Sequence, residues 1–238
     1  MGNSILLDIL YPKRCPLCGN IRSFGESGMC SGCEKELVWV KEPVCLKCGK
    51  MIEDETKEYC SDCTRIPKSF ERCYPALCYE GRIKDSIYDF KYKNQRSYAG
   101  FFADCIMKRH GDELKRLDID GIVPVPVHRH KRKKRGYNQA ELIAAELGKA
   151  LGIKVFPDYI ERAADTDPQK ELNDTERLKN LNNAFKIGKN DVKLDTVLLV
   201  DDIYTSGATM EACTKVLLDY GVNKVYCSSL AIGRGYSG

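Results

Sequence analysis

Two adjacent carboxylates, Asp201 and Asp202, stand directly before a run of small and hydroxylated residues. Backbone N–H groups in such a run can close around a phosphate where a helix begins. The two carboxylates can accept hydrogen bonds from vicinal ribose hydroxyls and can hold Mg²⁺ directly or through water. We therefore predict a site for a ligand with a 5-phosphate, a diol and a metal-bound pyrophosphate, in which Asp201 and Asp202 are catalytic. The phosphate contacts are predicted to come from Thr205, Ser206, Gly207, Ala208 and Thr209.

Eight of the 13 cysteines form four C-x-x-C pairs within residues 15–63, in two repeats with a period of 30 residues. A C-x-x-C turn lets two thiolates bind one metal ion, and two such turns leave no coordination position open for water. We therefore predict two structural Zn²⁺ sites in a zinc-ribbon or knuckle module. A disulfide framework is not favoured, because the sequence shows no secretory signal. The predicted ligands are Cys15, Cys18, Cys30, Cys33, Cys45, Cys48, Cys60 and Cys63.

The sequence leaves the pairing of these cysteines open. Sequential pairing places residues 15–33 on one zinc ion and residues 45–63 on the other. The equal gaps of 11 residues between successive pairs also permit pairing across the two repeats. A segment of about 50 residues with few large apolar side chains buries little core, so metal binding is expected to supply its folding free energy.

A basic run at residues 128–135 follows the apolar segment 121–127, which is typical of a buried strand that enters a loop. Arg132 and Arg135 can make bidentate contacts with a pyrophosphate leaving group, and we predict that both act in catalysis. The same run also fits nucleic-acid phosphates, an ordinary solvated cluster or, more weakly, nuclear localisation. The net charge of +4 does not by itself indicate a nucleic-acid-binding protein.

Residues 197–209 read Val-Leu-Leu-Val-Asp-Asp-Ile-Tyr-Thr-Ser-Gly-Ala-Thr and resemble the 13-residue phosphoribosyl pyrophosphate fingerprint of type I phosphoribosyltransferases. Receiver domains also end a strand in paired acids, but they do so near their start. Walker-B strands require a G-x-x-x-x-G-K-S/T loop, which this sequence lacks. The resemblance implies that the ligand is phosphoribosyl pyrophosphate in complex with Mg²⁺.

The order of the motifs resembles the ComF family over nearly the whole chain. The shared pattern comprises the cysteine segment, the run Arg-Lys-Lys-Arg-Gly-Tyr-Asn-Gln at residues 132–139 and the loop after Asp202. Between them the pattern continues with Arg162, Thr166, Gln169, Leu172, Arg177 and Asn180. The resemblance implies that Arg162, Gln169 and Arg177 contact the substrate. It also implies a role in competence and DNA uptake, with single-stranded DNA and a DNA-uptake helicase as partners.

Three functions are compatible with these motifs. The first is a phosphoribosyltransferase that transfers its sugar to an unidentified acceptor and releases pyrophosphate; no side chain is an obvious general base. The second is a single-stranded-DNA-handling module that retains the fold and uses the ligand only for regulation. The third is a structural adaptor joined to a partner through its zinc fingers. The intact acids and phosphate loop disfavour the third.

The surrounding elements predict an α/β domain of the type I phosphoribosyltransferase fold, with a mostly parallel central sheet and flanking helices. The apolar run 196–200 is typical of a strand buried on both faces, and a helix is expected after residue 209. Further predictions are an edge strand at 74–79, helices near 83–92 and 97–110, and a helix at about 140–148.

A polar stretch at residues 162–180 lies between predicted strands at 155–160 and 184–187. Long polar loops in compact domains are often functional covers. A cover that excludes water from a reactive ribosyl cation is one interpretation, and an inert surface excursion is the other.

The chain of 238 residues is long enough for one full-sized domain and a small satellite. We predict a double zinc-finger module at residues 1–68 and a phosphoribosyltransferase domain at residues 69–238. No apolar run approaches the roughly 18 residues of a membrane span, and residues 4–10 are expected to form a short amphipathic helix. We therefore expect a cytoplasmic protein without membrane insertion.

Overall fold

The computed structural model of the protein describes residues 14–21, 28–162, 184–189 and 191–233. In chain order, the strands are β1 (Cys73–Cys78), β2 (Gly121–Pro124), β3 (Ile160–Arg162), β4 (Phe185–Ile187), β5 (Thr196–Tyr204) and β6 (Lys224–Ile232). The central sheet is parallel with the strand order β1-β6-β5-β2, whereas β3 and β4 form a separate antiparallel pair. The predicted mostly parallel sheet is confirmed.

The helices lie on both faces of this sheet. In chain order they are α1 (Ser31–Glu34), α2 (Ser61–Arg65), α3 (Arg82–Tyr92), α4 (Tyr98–Arg116), α5 (Arg129–Arg135), α6 (Gln139–Leu151) and α7 (Ala208–Asp219). Apolar residues of α3, α4 and α6 share one core with one face of the sheet, and those of α7 share a second core with the other face.

The middle strand β5 supplies both cores. Because side chains alternate along a strand, Val197 and Leu199 join the core beneath α7, and Leu198 and Val200 join the opposite core. The strand continues four residues beyond the predicted end at Val200, because β6 pairs with it as far as Tyr204. Asp201 and Asp202 therefore lie within a paired strand, which restrains their backbone.

Several other element boundaries differ from the predictions. Helix α4 extends six residues past the predicted end at residue 110, and Leu114 is fully buried there. The predicted strand at 155–160 is wrong as a continuous element. Val155 makes only an isolated bridge to Ile122, and Pro157, which has no N–H to donate, follows it before β3 begins.

The two cysteine segments lie on opposite faces of the sheet. Cys15 and Cys33 of the first segment belong to the core that contains α3 and α4. All four cysteines of the second segment, residues 45–63, belong to the core that contains α7. The chain between the segments runs along the edge of the sheet beside β1.

Residues 38–40 cover the edge strand β1. Val40 N–H donates to the Ala76 carbonyl at 3.0 Å, and Cys78 N–H donates to the Val38 carbonyl at 2.8 Å. Trp39 and Leu77 form the antiparallel bridge between these bonds. The predicted edge position of β1 in the parallel sheet is confirmed, and its exposed backbone groups are satisfied by the linker between the two cysteine segments.

Some predicted features fall outside the described residues, namely the short helix at 4–10 and all of the polar stretch 162–180 except its first residue. Within the described ranges, no helix combines the length and the apolar character that a bilayer-spanning segment requires.

Candidate functional site

The eight predicted metal ligands form two groups of four thiols. One group is Cys15, Cys18, Cys30 and Cys33, and the other is Cys45, Cys48, Cys60 and Cys63. Within each group, all sulfur atoms lie within 4.8 Å of one another. The structure thus brings the cysteines together sequentially, repeat by repeat, and the crossed pairing that the sequence left open does not occur.

The sulfur spacing fits tetrahedral zinc. Cys18 Sγ lies 3.8 Å from Cys30 Sγ, and Cys48 Sγ lies 3.6 Å from Cys60 Sγ. Two thiolates bound at about 2.3 Å to a tetrahedral ion are expected to lie about 3.8 Å apart. Both groups are therefore consistent with structural zinc sites.

Local structure explains how each second pair of cysteines is presented. Cys30 and Cys60 are the N-caps of α1 and α2, so the short helix that follows brings the next cysteine of the pair back to the same point. Gly49 closes the first turn of the second group with φ 73°, and a β-carbon there would overlap Pro75. Only glycine therefore allows this turn to lie against β1.

The paired acids at the end of β5 have different environments. Asp202 is almost fully buried, and its Oδ2 forms an ion pair with Lys91 Nζ of α3 at 2.6 Å. Asp201 is partly exposed, and its Oδ1 accepts a hydrogen bond from the backbone N–H of Asp202 at 2.8 Å. Lys91 was not predicted as a site residue, although the resemblance to the ComF family extends to residues 91–93, because the local sequence of α3 does not indicate that it meets β5.

These surroundings shift the protonation of Asp201. Although the residue is partly exposed, its carboxyl is surrounded largely by protein atoms. This burial, and then the negative charge of Asp202, raise the pKa of Asp201 to about 8, although Lys91 opposes part of this rise. A carboxyl with such a pKa is poised to exchange its proton for a metal ion or a hydrogen-bond donor near neutral pH.

The loop after β5 has the geometry of an anion site. Gly207 has φ 73° and is the N-cap of α7, and its carbonyl accepts a hydrogen bond from Glu211 N–H at 2.8 Å. A β-carbon on Gly207 would overlap the hydroxyl of Tyr204, so only glycine fits. Thr205 and Ser206 are exposed and precede the first turn of α7, where Ala208 N–H donates to Ser206 Oγ at 3.4 Å. N–H groups at the start of a helix have no intrahelical partner and can bind an anion. We call residues 205–209 the anion loop.

The basic run forms a helix rather than the predicted loop. His128 Nδ1 accepts a hydrogen bond from His130 N–H at 3.2 Å and caps α5, and Gly136 in the left-handed conformation ends it. Every residue of α5 is at least partly exposed. The run therefore presents its charges on a short, defined helix beside the site.

The two predicted arginines of α5 have different contacts. Arg135 donates to Gln139 Oε1 at 2.9 Å and to Tyr92 Oη at 3.1 Å, and its guanidinium lies 4.9 Å from the centre of the Tyr92 ring. Arg132 forms an ion pair with Glu141 at 3.2 Å. Arg135 thus points toward the residue next to Lys91, whereas Arg132 is held along the surface of α6.

A cluster of cations surrounds the acids. Partial burial and the positive charges of Arg162 and Arg135 lower the pKa of Lys131, with a smaller contribution from Lys91. Arg162 lies over the Phe185 ring at 5.4 Å, and burial lowers its pKa. These four cations therefore share one region next to the acids. The predicted site residues Gln169 and Arg177 lie outside the described residues.

The parallel sheet, the paired acids on its middle strand and the anion loop before a helix define a phosphoribosyltransferase-type domain. In agreement, residues 133–235 match the phosphoribosyl transferase domain family, and residues 6–64 match the double zinc ribbon domain family. Solved structures to which the chain shows similarity include orotate phosphoribosyltransferase from Aeropyrum pernix, with 17% identity, 60% of this chain and 64% of that chain covered, and a TM-score of 0.38. Another is adenine phosphoribosyltransferase from Saccharomyces cerevisiae, with 18% identity, 60% of this chain and 72% of that chain covered, and a TM-score of 0.37.

Several relatives match this chain over most of its length. The chain is 29% identical over 225 residues to competence protein F of Haemophilus influenzae, covering 92% of this chain and 96% of that protein. It is 25% identical over 220 residues to DNA utilization protein YhgH of Escherichia coli (91% and 96%). It is also 25% identical over 203 residues to competence protein ComFC of Bacillus subtilis (81% and 79%). The chain belongs to the ComF/YhgH family.

Proposed function

We propose that this protein binds phosphoribosyl pyrophosphate as its Mg²⁺ complex and transfers the phosphoribosyl group to an acceptor, as part of competence or DNA utilization. The observation that carries this proposal is the position of Asp201 and Asp202 near the end of β5. Only two residues separate them from the anion loop at the start of α7. The names of the relatives supply the biological setting.

Different residues are proposed to bind different parts of phosphoribosyl pyrophosphate. Asp201 and Asp202 hold the ribose diol and offer carboxylate oxygens to Mg²⁺, and the anion loop binds the 5-phosphate through backbone N–H groups. Arg135 and Lys131 face the pyrophosphate, and the predicted contribution of Arg132 requires its pair with Glu141 to open. Bound Mg²⁺ supplies charge neutralisation for the leaving group. Arg162, Gln169 and Arg177 are proposed as further substrate contacts.

The proposed reaction is a displacement at the ribosyl C1 atom. The bond from C1 to the pyrophosphate oxygen breaks with both electrons leaving on the pyrophosphate, and a nucleophile of the acceptor forms the new bond to C1. The transition state resembles an oxocarbenium ion, so fixed charge around the leaving group accelerates the reaction. The two zinc centres are proposed to have a structural role. The boundary between the zinc-finger module and the phosphoribosyltransferase domain is proposed at residue 68.

Calorimetry with phosphoribosyl pyrophosphate tests the binding step. We expect saturable binding with Mg²⁺ and none with a chelator in its place. Pyrophosphate release, measured with a panel of nucleobases, amines and single-stranded DNA, then tests transfer. Absence of binding with Mg²⁺ rejects the proposal, and binding without release from any panel member favours a regulatory role for the ligand.

The affinity for the Mg²⁺ complex should depend on pH through Asp201. Below its pKa of about 8, a proton occupies the carboxyl and competes with the metal, so affinity is expected to rise with pH. The ionised fraction, and hence the affinity, should increase about tenfold between pH 7 and pH 9. Calorimetry across this range measures the increase. Asp201→Asn should lose it, and an equally steep profile in that variant would contradict the assignment.

Single-stranded DNA binding is the second candidate function, and α5 favours it. The helix consists of basic residues only, and all of them are at least partly exposed. Charges arranged in this way attract nucleic-acid phosphates without reading sequence. Lys133 and Lys134 are the informative members, because they are exposed and lie outside the proposed pyrophosphate contacts.

Neutralising these lysines should weaken DNA binding and flatten its salt dependence. For Lys133→Gln with Lys134→Gln, we expect the slope of log affinity against log salt to fall by about 0.7 for each lost phosphate contact. Fluorescence anisotropy with a labelled oligonucleotide measures this slope. Lys149→Gln with Lys215→Gln removes the same charge from exposed positions elsewhere and serves as the control. An unaltered slope in the α5 variant would remove α5 from the DNA interface.

A further inference from the structure

The second cysteine group is connected to the anion loop through a short chain of contacts. Both lie on the same face of the sheet, in the core that contains α7, whereas the first cysteine group lies in the opposite core. The connecting segment is residues 69–73, which joins α2 to β1. Of the residues that make these contacts, Phe70, Tyr204 and Glu211 are buried, whereas Ser69 is exposed.

The metal-binding turn is tied to the connecting segment at two points. Lys47, which lies between the ligands Cys45 and Cys48, donates from Nζ to the Phe70 carbonyl at 2.7 Å. Its own carbonyl accepts a hydrogen bond from Cys73 N–H at 2.8 Å. The conformation of this turn, which the metal defines, therefore sets the position of the backbone at both ends of residues 70–73.

From this segment, one contact reaches the anion loop through an aromatic ring. Phe70 is fully buried, and its ring packs edge-on against Tyr204 with a centroid distance of 6.4 Å. The hydroxyl of Tyr204 lies where a β-carbon of Gly207 would stand. A shift of Phe70 therefore moves the ring against which the middle of the anion loop is packed.

A second contact reaches the helix behind the loop. Ser69 donates from its backbone N–H and from Oγ to the Glu211 carboxylate, at 2.8 and 2.7 Å. Glu211 is 4% exposed and lies in the first turn of α7. Its N–H in turn donates to the Gly207 carbonyl at 2.8 Å. Residues 69 and 70 thus hold the anion loop from two sides.

We infer that the second zinc centre is an allosteric site for the anion loop: metal bound by Cys45, Cys48, Cys60 and Cys63 sets the loop's affinity for the 5-phosphate end of phosphoribosyl pyrophosphate. The first centre lies on the other side of the sheet, and its described residues, 14–21 and 28–33, make none of these contacts, so we expect no coupling there. Coupling between binding sites is reciprocal, so the bound ligand strengthens zinc retention at the second centre by the same factor. This inference rests on the proposed function.

Zinc release reports the coupling, because at an unchanged rate of zinc association a centre that binds zinc more tightly releases it more slowly. Cys18→Ser removes a ligand from the first centre only, so the zinc that remains bound reports the second. With a chelating dye, we expect saturating Mg²⁺-phosphoribosyl pyrophosphate to slow its release about tenfold, within the usual range of allosteric coupling. An unchanged rate of zinc release with the ligand present would overturn the inference.

A milder variant tests the contact chain with both zinc ions in place. Ser69→Ala removes the Oγ contact to Glu211, and it should weaken phosphoribosyl pyrophosphate binding and reduce the slowing of zinc release. Ser31→Ala, the matched change in the first segment, should alter neither. If phosphoribosyl pyrophosphate binds but zinc release is unaffected by it, this inference alone is wrong. If no binding is detected, the proposed function is rejected and the inference falls with it.

Discussion

Replacing Asp201 and Asp202 together by asparagine should lower the affinity for Mg²⁺-phosphoribosyl pyrophosphate by at least about 100-fold. Each carboxylate would lose a charge-assisted contact worth about 1.5–3 kcal/mol, and two such losses exceed the 2.8 kcal/mol that corresponds to 100-fold. Asparagine preserves side-chain volume, so β5 should remain paired with β2 and β6. Calorimetry gives the affinity, and circular dichroism checks the fold.

Asp219→Asn is the matched control for this experiment. Asp219 is an exposed acid at the end of α7, so its replacement changes net charge near the domain without touching the site. Its affinity should equal that of the unmodified protein. Unchanged affinity in the Asp201→Asn, Asp202→Asn double variant would mean that the donor binds elsewhere or that the acids do not contact it, and the proposed function would be rejected.

The features predicted correctly from the sequence depend on local chain geometry. The metal groups follow from C-x-x-C turns that repeat, and the helix after the anion loop follows from the run of residues that begins at Ala208. In both cases, the residues that act together are within about 20 positions of one another, so spacing alone indicates their arrangement. Buried parallel strands are likewise evident as continuous apolar runs.

The features that were missed depend on long-range packing. Lys91 meets Asp202 across 111 positions of sequence, and Ser69 meets Glu211 across 142. Nothing in either local sequence indicates its partner. The position of residues 38–40 beside β1 could not be predicted either. These residues bind β1 through backbone hydrogen bonds, which do not depend on side-chain identity and form only once the sheet has folded. The spacing of residues therefore predicted the two cysteine groups and the loop before α7, but not the distant residues that contact them.

The ion pair between Lys91 and Asp202 has the second large expected effect, and it acts on stability. Their side chains are only 19% and 9% exposed. Removing one partner leaves the other charge buried and unpaired, so Lys91→Met should lower the free energy of unfolding by about 3 kcal/mol. Asp202→Asn should cost less, because the long lysine side chain can turn toward water. Urea unfolding of the single and double variants measures these losses.

The double variant should be more stable than the sum of the single changes predicts. With both charges removed, no uncompensated charge remains, so we expect a coupling free energy of about 1–3 kcal/mol in the double-mutant cycle. Lys93→Met is the control, because Lys93 lies two positions away in an exposed pair with Asp89 at 2.8 Å. Simple additivity would show that the observed pair does not contribute to stability.

The same lysine variant also decides how the site opens for its ligand. When the Mg²⁺ complex reaches Asp202, Lys91 must leave the carboxylate, and we expect its ammonium group to turn toward the negatively charged pyrophosphate. On this argument, Lys91→Met weakens phosphoribosyl pyrophosphate binding, because it removes a cation that the ligand gains. If Lys91 instead only competes with the metal for Asp202, the variant binds the ligand more tightly. The sign of the change in calorimetry therefore separates a phosphate-binding lysine from one that keeps the site closed.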